Sequence, residues 1–97
     1  MVLVVRLEPT EREAIKEIVA RWDPSARVFL FGSRTRPDAR GGDIDLLIAS
    51  EKLARGDLRQ IRLDLQDRLG MQHFDLVVLG TQSTAFARAI AEEAIAL

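Results

Sequence analysis

Residues 32 to 45 read Gly32-Ser33-Arg34-Thr35-Arg36-Pro37-Asp38-Ala39-Arg40-Gly41-Gly42-Asp43-Ile44-Asp45. A small Gly-Ser turn is followed by two carboxylates one residue apart. On a strand, alternate side chains leave the same face, so Asp43 and Asp45 are expected to project together. Like charges at that spacing repel unless one is protonated or a hard cation screens both. Mg²⁺ suits the task, because it binds through one or two carboxylates and takes substrate phosphate oxygens beside them. The stretch therefore points to phosphoryl or nucleotidyl chemistry.

Each part of the pattern also has a plainer reading. Gly-Ser after a strand is ordinarily only a turn, although glycine permits close backbone approach and the free N–H groups of such a turn can face phosphate oxygens. Asp43 can cap a turn while Asp45 points to solvent. Asp75 shifts the balance, because it opens the otherwise apolar run Phe74-Asp75-Leu76-Val77-Val78-Leu79, where burying an unpaired charge is expensive. If that run is a strand beside the one carrying Asp43 and Asp45, three carboxylates cluster. Arg34, Arg36 and Arg40 concentrate positive charge next to the Gly-Ser turn, and Arg34 is the best placed of them to hold phosphate through its planar fork. His73, the single histidine, reads as a loop residue before the third strand.

The elements that must position these residues follow from periodicity. Val2 to Leu7 is β-prone. Thr10 with Glu13 resembles a capping box after Pro9, and Ile15, Ile18, Val19 and Trp22 form a helical stripe that Asp23-Pro24-Ser25 ends. Val28 to Phe31 has the length and character of a strand buried on both faces. Residues 34–42 carry Pro37, Gly41 and Gly42 and read as loop. Asp43 to Ala49 is the second strand, with Ile44, Leu46 and Ile48 opposite Asp43, Asp45 and Leu47. Asp57 with Gln60 can cap a helix to Leu69, striped by Leu58, Ile61, Leu65 and Leu69, with Gly70 as a left-handed terminator. From Ser83 or Thr84 a last helix is expected to carry Phe86, Ala87, Ile90, Ala91, Ala94 and Ile95 on one side, with Arg88, Glu92 and Glu93 outward. Helices alternating with apolar strands predict an α/β architecture, a small sheet of three to four strands flanked by helices.

Composition sets limits on function. Ninety-seven residues suit a single domain over 1–97, with no room for a second, acceptor-binding domain. Fourteen basic against 15 acidic residues leave a net charge of −1, which disfavours a non-specific nucleic-acid coat, so no direct nucleic-acid partner is expected. The absence of cysteine rules out disulfides and thiolate metal sites and fits a reducing cytosol. Met1 to Val5 is too short for a signal sequence or a membrane span, and a cytoplasmic protein is expected.

The order of a hydrophobic strand, Gly32-Ser33, a spacer, Asp43-x-Asp45 on a second strand and Asp75 on a third resembles the minimal nucleotidyltransferases of the DNA polymerase β superfamily. The resemblance runs from the first helix to at least Leu79. It implies the polymerase-β-like nucleotidyltransferase fold, with Asp43, Asp45 and Asp75 as catalytic residues and ligands of two Mg²⁺ ions. Gly32, Ser33 and Arg34 would then hold a nucleoside triphosphate, ATP being the implied donor. Small members of this kind resemble the antitoxins of prokaryotic toxin–antitoxin systems paired with a HEPN protein, where some transfer AMP to a tyrosine of the toxin (AMPylation). This sequence contains no tyrosine. A tyrosine acceptor would have to belong to the partner. The rival expectation is a non-catalytic binding module that neutralises its partner by steric occlusion, and a third is transfer to a small hydroxyl compound or an RNA end. The Ala-rich last helix and the short first strand also offer surface for a partner or for a homo-oligomer.

Overall fold

Three apolar stretches cannot bury themselves alone, and in the computed structural model they assemble into one sheet. The structure describes residues 7–32, 43–70, 73–80 and 84–97. The elements run α1 (Pro9–Trp22), β1 (Arg27–Phe31), β2 (Asp43–Ala49), α2 (Arg55–Leu69), β3 (His73–Leu79), α3 (Ala85–Glu93) and β4 (Ile95–Ala96). The sheet order is β3-β2-β1-β4. β1 is antiparallel to both β2 and β4, whereas β2 and β3 are parallel and joined through α2. Among the described residues this is a four-stranded mixed sheet flanked by helices, as the sequence predicts. The β-prone segment from Val2 lies almost wholly outside the described residues.

The sheet has one fully covered face. Ile15, Ile18 and Val19 of α1 and Ile61 and Leu65 of α2 share a core with Val28, Leu30, Ile44, Leu46, Ile48, Phe74 and Leu76. All the strand residues in this set have the same parity, as the alternation in β2 predicts. α3 packs against β1, β2 and β3. Its Ala87, together with Leu47 of opposite parity, is buried outside the main core. α3 therefore covers the other face. With nine residues it spans only about 14 Å, so it shields part of that face. That is why β1 is not buried on both sides as expected: Val28 and Leu30 are buried, while Phe29 and Phe31 are half-covered.

Helix boundaries differ from the sequence expectation for local chemical reasons. α1 begins at Pro9, not after Thr10, with Glu8 as its cap, because proline at the first helical position loses no hydrogen bond and has the right φ already. The Glu11 carboxylate accepts the Glu8 N–H at 3.0 Å. Asp57 likewise acts from inside its helix: α2 starts at Arg55, and Asp57 accepts the Ala54 N–H at 3.0 Å. Gly70 ends α2 at φ +91° and ψ 177°, outside the left-handed helical well but in a region that equally requires glycine. Thr84 caps α3 by accepting the Ala87 N–H at 3.2 Å.

At α3 one expectation fails, and an alternative the sequence left open, Phe86 as core or as surface, is decided for surface. Ile95 belongs to β4, not to the helix, since the chain turns extended after Glu93 and pairs Ile95 with Leu30. Phe86 is 66% exposed and is no part of the core. Among the described residues no helix is long and apolar enough to cross a membrane.

Candidate functional site

The site lies where β1 ends and β2 and β3 begin. Register places Phe31, Asp45 and Asp75 on one rung across three strands. Asp45 and Asp75 are thus direct neighbours on parallel strands, about 4.8 Å apart in backbone and on the same face. That face is the one α3 covers in part. Asp75 keeps half its side chain exposed, so the charge avoids the burial cost its apolar strand suggested. Aspartates facing each other across a strand pair destabilise the sheet unless something offsets their charge.

Gly32 completes the described part of this arrangement. It follows β1 at φ +77°, and a Cβ built on it would fall on the Asp45 carboxylate. The Gly32 backbone thus lies against the Asp45 carboxylate. Only glycine meets both the dihedral and the clearance. Asp43 opens β2 and is paired in register with His73, but its side chain lies outside the described residues. Ser33 and Arg34, like Arg36 and Arg40, also lie outside them.

His73 is not a loop residue. It is the first residue of β3, and its Nε2 lies 3.7 Å from Asp75 Oδ1. The His73-x-Asp75 spacing is the same period-two signal that marks Asp43-x-Asp45, and it could have revealed the neighbour from sequence. Arg62 is a second unforeseen participant: its Nε donates to the Phe74 carbonyl at 2.9 Å and ties α2 to β3 between His73 and Asp75.

The donor set is oxygen-rich and hard. Two carboxylates on one rung with glycine backbone against one of them fit a divalent cation such as Mg²⁺ rather than a thiophilic metal. Among the described residues, no group of three histidine or acidic side chains is placed to hold a metal ion.

The family model described as "Polymerase beta, Nucleotidyltransferase" matches residues 13–97. The chain belongs to the polymerase β nucleotidyltransferase family. The match takes in the Gly-Ser turn, both aspartates of β2 and Asp75, and the mixed sheet with its flanking helices agrees with that fold. Nucleotidyl transfer is the activity this family supports. No curated protein matches the chain. Within this nucleotidyltransferase domain, the opposite end of the sheet is built for stability. There the buried Asp23, at the end of α1, accepts from Ser50 Oγ at 2.6 Å and from the Ser25 N–H at 3.0 Å. Ser50 Oγ in turn accepts the N–H groups of Lys52 and Leu53. The Ser50 hydroxyl, then the Ser25 N–H and the Lys52 charge, hold the Asp23 carboxyl below the usual range against its burial.

Proposed function

We propose that this protein is a Mg²⁺-dependent nucleotidyltransferase antitoxin that moves AMP from ATP to a hydroxyl, a tyrosine, of a HEPN-type toxin. The supporting observation is the rung shared by Asp45 and Asp75 with Gly32 backbone against it, within a domain of the polymerase β nucleotidyltransferase family. In this reading Asp43, Asp45 and Asp75 hold two Mg²⁺ ions, and Gly32, Ser33 and Arg34 hold the triphosphate. Bound metal would supply charge neutralisation at the phosphates and lower the pKa of the acceptor hydroxyl.

The chain's own residues then have separate tasks. The Gly-Ser turn orients the α-phosphate through backbone N–H groups and the Ser33 hydroxyl. Asp75, half-exposed and next to Asp45, accepts the proton of the acceptor hydroxyl. The acceptor oxygen bonds to the α-phosphorus as the bond to the bridging oxygen breaks, and pyrophosphate leaves. Because the chain has no tyrosine, a tyrosine acceptor in this reading belongs to a partner, and the reading puts both proteins in a prokaryotic cytoplasm.

The test is to incubate the protein with Mg²⁺, α-labelled ATP and the product of the neighbouring gene, following label and mass. Label is expected on the partner, lost without Mg²⁺ and lost to background in Asp45→Asn and Asp75→Asn, with unchanged circular dichroism. Near-normal transfer by either variant would sink the site. Inhibition of the partner without nucleotide, undiminished in Asp45→Asn, would replace the enzyme with an occluding binding module.

A further inference from the structure

Among the described residues β3 is an edge strand, with β2 as its one neighbour in the sheet. Backbone groups of successive strand residues point to alternate sides. The Leu79 carbonyl accepts the Ser50 N–H at 2.9 Å and so faces β2. The Phe74 carbonyl accepts from Arg62 of α2, on the other side. By that parity, Leu76 and Val78 turn their N–H and C=O groups away from β2, to the open edge. Among the described residues Arg62 closes the edge at Phe74, and no hydrogen-bond partner on that side is found for Leu76, whose side chain is buried in the core, or for the half-buried Val78.

Beside this stretch runs a groove of about 860 Å³, lined by Leu76 and Val78, by the start of α2 and by Phe86 of α3. It runs from Leu76, the residue after Asp75, to Gly80 beyond the end of β3. Arg55, Arg59 and Arg62 follow one another at helical spacings of four and three and line one wall. Neither Arg55 nor Arg59 is paired with a carboxylate among the described residues, and Glu51, the acid in the groove, already has a partner. Phe86 adds the exposed apolar surface noted above. The groove thus combines strand donors and acceptors, three arginines against one glutamate, and an aromatic anchor.

We propose that the edge of β3 at Leu76 and Val78 is a docking site for an extended acidic segment of a partner protein, which adds to the sheet as a fifth strand. Main-chain hydrogen bonds to Leu76 and Val78 provide the attachment, and alternate side chains of the segment fall on the arginine wall. Carboxylates there meet Arg55 and Arg59, and an apolar residue meets Phe86. Charge complementarity selects this occupant over a second copy of the chain, since a two-fold pairing of β3 edges would bring the same arginines together. The groove adjoins the acidic rung at Leu76 and Arg62, but the proposal stands whether or not transfer occurs.

The probe is a fluorescent nine-residue peptide of alternating glutamate and valine, with a lysine-for-glutamate version as control and a labelled single-stranded RNA as competitor class. Anisotropy and amide NMR are read on the full chain. The acidic peptide is expected to bind at least tenfold more tightly than the lysine peptide. Its binding should shift and protect the Leu76 and Val78 amides, and Arg55→Glu with Arg59→Glu should weaken it at least tenfold. N-methylation of alternate peptide amides should abolish binding, which tests strand addition without altering the protein. Equal binding of both peptides, shifts confined elsewhere, preferential RNA binding, or self-association through β3 would each overturn the proposal.

Discussion

Gly32 and Asp45 are the tightest juxtaposition at the acidic rung. Gly32→Ala puts a methyl group on the Asp45 carboxylate at a backbone angle that costs about 1–3 kcal/mol for a residue with a side chain. Displacing a catalytic carboxylate by 1 Å can cost about 10²-fold in rate. Gly32→Ala is therefore expected to lower Tm by several degrees and reduce nucleotidyl transfer about 10²-fold, measured by thermal denaturation and label transfer on one preparation. Retained transfer with an unchanged Tm would mean that the turn does not lie against Asp45. The Asp43-x-Asp45 pair and Asp75 could be read from residue type and spacing alone, because period-two geometry is local. That His73 joins Asp75 on β3 was legible by the same rule, but the start of a strand depends on what it pairs with, and the partner here is Asp43 on β2.

At the scale of elements, Asp23 and Ser50 join the end of α1 to the loop after β2, and Ser50 is tied to β3 through Leu79. A carboxyl whose folded pKa is lowered contributes stability that is complete above its unfolded value, about 3.9, and is lost as pH falls through the folded value. Ser50→Ala removes the largest cause of the lowering and leaves the Lys52 and Leu53 N–H groups without their acceptor. Tm is expected to fall by several degrees at pH 7, and the loss of stability below about pH 4 should become shallower than in the parent. Denaturant unfolding between pH 2.5 and 7 checks both, and an identical acid limb in the two proteins would contradict the assignment. Glu17, lowered chiefly by the Arg68 charge and then by its hydrogen bonds with Arg21 and Arg68, titrates in the same direction. Its pairs are exposed, so added salt should suppress that contribution and leave the one from Asp23.

For the whole molecule, stability depends chiefly on the sheet face that α1 and α2 cover. Leu46 sits at 0% exposure in the middle of β2, between β1 and β3 and beneath α1 and α2. Leu46→Ala is expected to destabilise the domain by about 2–5 kcal/mol by urea unfolding. That is a large share of the few kcal/mol a domain of this size holds. A loss below 1 kcal/mol would show that the face can collapse around the gap. The stripes Ile15-Ile18-Val19 and Ile61-Leu65 and the alternation Ile44-Leu46-Ile48 were legible because the period of a helix or strand dictates which side chains share a side.

Strand order and direction had to come from tertiary packing. β2 and β3 lie parallel because α2 carries the chain back across the sheet, and that register sets Asp75 beside Asp45 rather than two residues away. The fate of Phe86 and Ile95 was decided in the same way: a helical stripe predicts burial only if another surface arrives to cover it. α3 is too short to cover its face, and Ile95 gains more by pairing with Leu30 than by extending the helix. The acidic motif at residues 43–45 thus belongs to the local chain, whereas the three-strand rung of Phe31, Asp45 and Asp75, the Gly32 contact and the open edge at Leu76 and Val78 exist only once distant segments meet.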